Sequence, residues 1–261
     1  MSKKHKRRKD RTLHIQRQTA PGSSPGVIAP HPAHLPSEAA VVAYGPQQIV
    51  EHELADVMQI PKLLADHPVT WVNVEGLANA QLIERLGDLF DLHRLALEDV
   101  VNSHQRAKVE EYGAVLFIVL RMINCQERCA TEQLSLFVGP GFVITFQEGT
   151  PGDPFDRVRE RIRKNVGKIR ANGGDYLAYA LIDAAIDAYY PVLEIYAERI
   201  DVLEDSVLEA RSRKTMDQLH EVKADLLVLR RAIWPLREAL AQLMREGVPN
   251  ITDATRIYLR D

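Results

Sequence analysis

The sequence is poor in the residues that mark several common protein classes. It has two cysteines, Cys125 and Cys129, among 261 residues, and no second Cys or His pair lies nearby to complete a zinc ribbon. Two cysteines give equally weak support to a disulfide scaffold, so the cytosol is the expected compartment. The longest uninterrupted apolar run, residues 114–120, is far shorter than the ~20 residues that a membrane helix needs. We therefore expect the chain as given to be soluble.

Motifs of common enzyme active sites are missing as well. There is no GxSxG, no Walker phosphate loop, no GxGxxG and no HExxH. His93, His104 and His220 have no carboxylate or cysteine partner at a recognisable spacing. A hydrolytic metalloenzyme would also need a nucleophile and a general base in a recognisable setting. We expect the protein not to be an enzyme.

Charge is distributed unevenly along the chain. The formal net charge is −3, yet the first eleven residues hold seven basic side chains and one acidic one. Such a tail could contact anionic lipid or nucleic acid, but a solvated tail is the simpler interpretation. Residues 12–40 combine prolines with glycine and serine, a composition that disfavours a packed core. We predict a disordered, basic and proline-rich lead-in over residues 1–40.

Residues 41–172 have the pattern of an α/β/α domain. Short apolar runs indicate strands, and apolar residues three or four apart indicate helices. The predicted strands are Val69–Val74, Lys108–Tyr112, Ala114–Ile123, Gln133–Val138 and Phe142–Gln147, and the predicted helices are Gln81–Phe90, Leu95–Val101 and Pro154–Arg170. Gly139, Pro140 and Gly141 predict an antiparallel hairpin between the last two strands.

The helix predicted over Pro154–Arg170 is strongly basic. A nucleic-acid surface is one interpretation of its arginines and lysines. No aromatic stacking platform or RNA-binding motif accompanies them. We therefore favour a solvated face that pairs with acidic neighbours.

The second half predicts a long antiparallel helical hairpin over residues 173–248. Apolar residues recur at alternating spacings of three and four in two segments, which is typical of packed helices. The segments run from Tyr179 to Val207 and from Leu219 to Leu243, joined by Glu209–Lys214. Arms of about thirty residues would be about 45 Å long, so the hairpin is expected to project from the domain. Pro191 and Pro235 predict bends within the arms.

A further helix is predicted within residues 249–261. Gly247, Val248 and Pro249 end the second arm, and Thr252 or Asp253 caps the next helix. Only the first turns of that helix are present before Asp261. This pattern predicts that the natural protein continues past residue 261.

The remaining candidates for chemistry are carboxylates. Glu98 and Asp99 are adjacent in a short helix, Asp183 and Asp187 lie one helical turn apart, and Asp261 ends the chain. Oxygen ligands suit hard cations such as Mg²⁺ and Ca²⁺ rather than zinc or copper. Acidic residues on long helices more often form a solvated face, so spacing alone favours that interpretation.

A set of stretches in one order carries a family resemblance. They are TWVNVEG at 70–76, LEDV at 97–100, HQRAKVE at 104–110, PFDRVRERIR at 154–163, DYLAYALID at 175–183, IWPLRE at 233–238 and YLRD at 258–261. Together they resemble the CorA family of divalent-cation channels, which transport magnesium and cobalt. The resemblance runs from about Val69 to Asp261.

The resemblance implies an α+β fold. An α/β/α sandwich with a mixed sheet would be followed by the long antiparallel helical hairpin and, over 249–261, by the start of a stalk helix truncated before the membrane helices. It also implies a homopentamer in the inner (plasma) membrane, with this portion on the cytoplasmic side. The partners would be further copies of the chain and, through the missing C-terminal helices, the membrane. Nucleic acid is not expected.

The resemblance also implies a regulatory metal site between neighbouring subunits. By motif, Asp99 of one subunit faces Asp261 on the stalk helix of the next, and Glu98 and Asp183 match a nearby second position. The expected ligand is regulatory Mg²⁺, with Co²⁺ also possible. The chain would then be the magnesium-sensing, gating domain of the transporter.

Two alternatives remain open. A zinc-transporting branch of the family shares the architecture, and the pore that would distinguish it is absent. A soluble coiled-coil interaction protein would explain the helical repeats but not the α/β half.

Overall fold

The computed structural model describes residues 22, 24–125, 128–209 and 213–261. Its strands are β1 (Glu38–Tyr44), β2 (Ile49–Glu53), β3 (Val69–Glu75), β4 (Lys108–Tyr112), β5 (Val115–Cys125), β6 (Cys129–Gly139) and β7 (Phe142–Gln147). Its α-helices are α1 (Ile60–Asp66), α2 (Ala80–Leu89), α3 (Arg94–Val101), α4 (Asp156–Lys164), α5 (Gly174–Asp187), α6 (Tyr189–Glu209), α7 (Arg213–Leu243) and α8 (Asp253–Tyr258). The predicted basic tail lies outside the described residues.

The seven strands form one mixed sheet. Their order is β2-β1-β3-β7-β6-β5-β4. The central pair, β3 and β7, is parallel, and the other neighbours pair antiparallel. The predicted hairpin between β6 and β7 is present, with Gly139 opposite Phe142. The positive φ of 77° at Gly141 is the conformation that glycine adopts readily in such a turn.

Helices cover both faces of this sheet. One apolar core packs α1, α2 and α3 against one face, and a second packs α4, α5 and the end of α7 against the other. Strand β3, Val69–Glu75, is buried on both faces, and only Glu75 is exposed; its sequence is largely apolar, with Thr70 and Asn73 as buried polar residues. Trp71 is fully buried, and its indole N–H donates to the Thr145 hydroxyl at 2.9 Å. The predicted α+β class, with an α/β/α sandwich around a mixed sheet, is confirmed.

Helix α4 is shorter than the sequence predicts. It ends at Lys164 rather than Arg170, because Asn165 adopts a left-handed conformation with φ 53°. Asparagine tolerates this conformation and often follows a helix end. The amide of Val166 then donates to the Arg161 carbonyl at 3.0 Å, which closes the last turn.

The helical hairpin consists of α6 and α7. Helix α7 has 31 residues and continues through Pro235, which gives it a length of about 46 Å. The first predicted arm is divided at Ala188, between α5 and α6. The sequence predicts a bend within the arm at Pro191, and the structure has instead an interruption of the helix, where Pro191 has no N–H to donate to the carbonyl of Asp187, four residues earlier. Residues 210–212, which make up half of the predicted connection between the arms, lie outside the described residues.

No helix in the described parts of the chain has both the length and the apolar character that a bilayer crossing requires.

A buried acid links the β5–β6 end of the sheet to the helical hairpin. Asp225 on α7 is 3% exposed and accepts hydrogen bonds from the Arg128 guanidinium at 2.9–3.0 Å. The Tyr196 hydroxyl on α6 donates to the same carboxylate at 2.7 Å. Burial, followed by this hydrogen bond, raises the pKa of Tyr196 to about 12. We call these three residues the Asp225 network.

The two cysteines lie beside the Asp225 network and form a disulfide. Cys125 ends β5, Cys129 begins β6, and the antiparallel register places them directly opposite each other. A bridge has little support from the sequence alone, because the pairing depends on this register rather than on any cysteine motif. The bridge packs with Tyr189, Val192 and Tyr196 of α6.

Another buried carboxyl lies near the start of β6. Glu132 is 6% exposed, and its Oε2 accepts from the Thr150 amide at 3.1 Å. Its Oε1 has no hydrogen-bond partner among the described residues. Burial raises the pKa of Glu132 to about 7, and the nearby charge of Glu148 adds to the shift.

Asp225→Ala is expected to lower the free energy of unfolding by about 1–3 kcal/mol, because Arg128 and Tyr196 lose their shared acceptor. Urea denaturation measures this change. Glu221→Ala is the matched control, since its exposed carboxylate lies 3.9 Å from Arg128 and its loss should change stability by less than about 0.5 kcal/mol. Equal effects of the two substitutions would contradict a structural role for the Asp225 network.

Glu132→Gln is expected to stabilise the protein increasingly as pH rises from 5 to 8. The folded-state pKa of about 7 lies above the ordinary 4.5, so the fold favours the protonated acid and loses stability as pH rises through 7. Glutamine does not ionise. The difference in unfolding free energy between variant and wild type should grow by on the order of 1–3 kcal/mol across this range. Urea denaturation at each pH measures this difference, and Glu111→Gln, at an exposed position of β4, is the control. If the stabilities of Glu132→Gln and wild type changed in parallel with pH, the raised pKa of Glu132 would be contradicted.

Candidate functional site

Helix α3 presents two of the predicted metal ligands. It begins after His93, whose Nδ1 accepts from the Leu95 amide at 3.3 Å and so caps the first turn. Its apolar side faces the core through Ala96, Leu97, Val100 and Val101. Glu98 and Asp99 therefore fall at the edge of this face, where both are half-buried.

Each oxygen of the Asp99 carboxylate has a hydrogen-bond partner within the chain. Its Oδ2 lies 2.5 Å from the Lys108 ammonium, and its Oδ1 accepts from the Gln105 side-chain amide at 2.9 Å. The Gln133 side chain donates to the Asp99 backbone carbonyl at 2.8 Å and accepts from the Gln105 backbone amide at 2.9 Å. Asp99 is thus held in place by side chains from β4, β6 and the loop between α3 and β4.

Lys108 bridges two acids. Besides Asp99, its Nζ lies 2.9 Å from Glu110 Oε1. Burial alone would lower the pKa of Lys108, but the hydrogen bonds to Asp99 and Glu110 outweigh it and raise that pKa. Lys108 lies in the HQRAKVE stretch that carries the family resemblance, but the sequence alone indicates no role for it. The helical spacing of α3 cannot reveal the pair, because it forms across a loop to the first residue of a strand.

Glu98 is also occupied, by a segment of the predicted lead-in. Its Oε2 accepts from the Gly26 amide at 2.7 Å. Gly26 has φ +82°, and a Cβ there would lie 3.0 Å from the Arg94 Cβ, so this close approach to α3 suits glycine. The lead-in was predicted to extend to residue 40, yet β1 already begins at Glu38.

Asp183 and Asp261 interact electrostatically within one chain. Burial raises the pKa of Asp183, Asp187 raises it further and Asp261 adds to the shift, while Arg161 opposes it. Asp183 lies on α5 and is half-buried, whereas Asp261 follows α8 and is exposed. A carboxylate surrounded by like charges resists ionisation, which is the condition that a bound cation relieves.

The start of α8 is attached to α5. The Thr252 amide and hydroxyl both donate to Asp175 Oδ2, at 3.1 and 2.6 Å. Thr252 also caps α8 through the Thr255 amide, as the sequence predicts. At the other end of α8, the Tyr258 ring packs on Tyr176 and Tyr179 with centroids 5.2 and 5.5 Å apart.

The predicted ligands therefore form two separate groups. Glu98 and Asp99 belong to α3 on one face of the sheet, and Asp183 belongs to α5 on the other. Within the described ranges, no group of three or more His, Cys, Asp or Glu side chains could hold a metal ion. The donors are all carboxylates, which fit a hard dication such as Mg²⁺.

The basic helix α4 pairs with acids from several elements. Arg159 lies 2.6 Å from Asp153, Arg163 lies 2.6 Å from Glu51, and Lys164 pairs with Glu160. Burial would raise the pKa of Asp153, but its hydrogen bonds, chiefly from Arg159, lower it.

Comparison with known proteins gives a consistent family. Residues 66–261 match the family described as CorA-like Mg²⁺ transporter protein. The cobalt/magnesium transport protein CorA of Thermotoga maritima is 41% identical over 227 residues, which cover 86% of this chain and 64% of that protein. The chain thus spans slightly less than two thirds of this relative's length.

Solved structures share the fold at low sequence identity. The soluble domain of CorA from Methanocaldococcus jannaschii matches with a TM-score of 0.71 and 17% identity over 85% of each chain. The cytoplasmic domain of ZntB from Vibrio parahaemolyticus matches with a TM-score of 0.61 and 14% identity, over 85% of this chain and 84% of that one. The family match over three quarters of the sequence and the Thermotoga relative carry the assignment: the chain belongs to the CorA family of Mg²⁺ transporter proteins.

Proposed function

We propose that this chain is the cytosolic, magnesium-sensing part of a homopentameric CorA-type transporter for Mg²⁺ or Co²⁺. Its membrane-spanning helices would follow residue 261, so this portion would lie on the cytoplasmic side of the plasma membrane. Residues 249–261 would begin the stalk helix, 173–248 would form the helical hairpin and 41–172 the α/β/α domain. The proposal assigns the chain no catalytic role and no nucleic-acid partner.

The separation of the two carboxylate groups is the observation on which this proposal rests. Asp99 and Asp183 lie on helices that cover opposite faces of one sheet. The rigid sheet keeps them apart within a subunit, so a site that uses both groups needs two copies of the chain. Asp99 of one subunit facing Asp261 of its neighbour, with Glu98 and Asp183 nearby, meets this requirement.

Apolar surface on the helical hairpin supports self-association. Tyr190 and Val202 on α6 and Trp234 on α7 are each more than 60% exposed. Exposed side chains of this size on both arms of the hairpin are candidates for contacts with another protein surface. Further copies of the chain, or its own continuation past residue 261, would cover them.

Facing carboxylates provide the sensing mechanism. Asp99 and a neighbour's Asp261 repel each other when both are ionised, and this repulsion favours a loosened interface. A shared Mg²⁺ would supply charge neutralisation through oxygen ligation. Once their charge is neutralised, the carboxylates no longer force adjacent subunits apart, and the closed state is favoured. Gating is a population shift, since only the difference in affinity between closed and open states biases the equilibrium.

The summed free-energy preference of five such sites is large enough to shift a gate between closed and open states. A preference of about 1 kcal/mol at each of the five interfaces would sum to about 5 kcal/mol, close to the ~5.5 kcal/mol that moves a two-state equilibrium from 1:99 to 99:1. Weak sites are therefore sufficient when they act together around a ring.

Helix α8 offers a route from the site towards the membrane. Its first turn is attached to α5 through Asp175 and Thr252. A displacement of Asp261 at the other end would therefore rotate α8 against the α/β/α domain. The segment that follows residue 261 would receive that rotation.

Magnesium is favoured over zinc by the donor set. Zinc sites in proteins use mainly cysteine and histidine, whereas Mg²⁺ takes oxygen ligands and keeps several waters. The four proposed ligands, Glu98, Asp99, Asp183 and Asp261, supply oxygen alone. The likeness to the ZntB domain has a lower TM-score than the likeness to the CorA domain, and at these identities both show only the fold.

In the complete transporter, Asp99→Ala combined with Asp261→Ala is expected to keep the current flowing at high internal magnesium, because the interface loses the ligands that hold it closed. Patch recording with controlled internal Mg²⁺ measures this. Glu204→Ala with Asp205→Ala, which removes two exposed acids from α6, is the charge-matched control and should close normally. Normal closure of the Asp99 and Asp261 variant would overturn the sensing mechanism.

Ion choice can be measured separately on the purified transporter. Mg²⁺ is expected to protect it from proteolysis in a way that depends on Asp99 and Asp261, while Zn²⁺ at equal concentration protects it less. Stronger protection by Zn²⁺ through the same two residues would favour the zinc-transporting alternative.

A further inference from the structure

The ion pair between Lys108 and Asp99 places a cation of the protein itself on the proposed metal ligand. The ammonium lies 2.5 Å from Oδ2, with both side chains about one fifth exposed. Gln105 occupies Oδ1 with a single hydrogen bond, at 2.9 Å. A divalent ion that approaches Asp99 therefore meets an oxygen already neutralised by a lysine.

Lys108 has a second acid within reach. Its Nζ lies 2.9 Å from Glu110 Oε1 and 5.5 Å from the centre of the Phe117 ring. Glu110 is itself fixed by the Tyr112 hydroxyl, which donates to Oε2 at 3.1 Å. Tyr112 in turn stacks on His93 at the start of α3, with ring centroids 4.5 Å apart. The ammonium can thus leave Asp99 and keep a charged partner.

We propose that Lys108 is a tethered competitor for the cation at Asp99, and that its exchange between Asp99 and Glu110 sets the magnesium concentration at which the subunit interface responds. The inference rests on the proposed function, because it concerns the regulation of the same site. It assigns Lys108 and Glu110 as positioning residues that do not touch the bound ion.

The surrounding hydrogen bonds fit this role. Gln133 holds the Asp99 backbone carbonyl, and Gln105 holds both Gln133 and Asp99 Oδ1. None of these bonds involves Lys108, so the Asp99 side chain keeps its place when the ammonium moves to Glu110. Only the charge near Oδ2 changes, and this charge determines how strongly Asp99 attracts a divalent cation.

The proposal predicts opposite effects for the two ends of the exchange. Lys108→Met removes the competitor, so half-maximal protection should need about threefold to fivefold less Mg²⁺, the range expected for one partly exposed ion pair. Glu110→Gln removes the alternative partner, so Lys108 stays on Asp99 and more Mg²⁺ should be needed. Lys108→Arg keeps the charge and should stay close to wild type.

The experiment is a magnesium titration of the complete pentameric transporter in detergent, read by protection from proteolysis. Lys62→Met is the matched control, because Lys62 is exposed on α1 and has no ion pair among those of the described residues. It removes the same charge away from Asp99 and should leave the titration unchanged. Thermal melting without Mg²⁺ checks that each variant is folded, and Lys108→Gln provides a second removal of the competitor.

The outcomes distinguish a failure of the Lys108 competitor from a failure of the proposed metal site at Asp99. An unchanged or raised half-maximal Mg²⁺ concentration for both Lys108→Met and Lys108→Gln overturns the competitor, provided that Asp99→Ala abolishes protection. Full protection of Asp99→Ala at wild-type Mg²⁺ concentrations instead overturns the proposed site itself. In the Asp99→Ala background, Lys108→Met should have no effect on any remaining protection.

Discussion

The parallel pairing of β3 with β7 at the centre of the sheet is the constraint on which the rest of this structure depends. It brings two strands more than sixty residues apart in the chain side by side, and both strands are buried except at Glu75 and largely apolar. Each face must then be covered by helices, because exposed apolar sheet surface is unfavourable in water. Helix α3 is fixed on one face and α5 on the other, so their carboxylates belong to opposite sides of the sheet.

This separation supports the proposal that a metal site is completed only by two copies of the chain. Each group of acids is stabilised locally: Asp99 by Lys108 and Gln105, and Glu98 by the Gly26 amide. Arg161 opposes the shift at Asp183, yet burial and the charges of Asp187 and Asp261 together raise the pKa of this carboxyl. The isolated chain therefore tolerates its acids through internal partners on one face and retains electrostatic repulsion on the other. An ion shared between subunits would act on both conditions at once.

Much of the architecture could be predicted from periodicity and turn residues. Strands β3 to β7 and helices α2, α3 and α7 follow from apolar patterns, and Thr252 follows from capping chemistry. Strands β1 and β2 and helix α1 were not predicted, because β1 begins within the proline-rich stretch and β2 and α1 are only five and seven residues long. The end of α4 was wrong because a left-handed asparagine leaves no mark in the apolar pattern. The break at Ala188 shows that Pro191 acts on the preceding turn.

The candidate site was less accessible to sequence reasoning. A motif can nominate Asp99, but it cannot reveal that Lys108 and Gln105 already occupy its oxygens, since both contacts form across a loop. The Cys125–Cys129 bridge has the same origin, because strand register, not spacing alone, brings the two sulfurs together. Assignment of the four acids to one interface remains a prediction.

The unequal attachment of α8 at its two ends has a mechanical consequence. Two hydrogen bonds to the buried Asp175 fix the Thr252 end, whereas the Tyr258 end is held by aromatic contacts and by one exposed hydrogen bond, from Lys168 at 3.1 Å. Such a rod pivots rather than translates. Over the roughly 13 Å from Thr252 to Asp261, a tilt of about 10° moves the final carboxylate by about 2 Å, comparable to the difference between a coordinated oxygen and a released one.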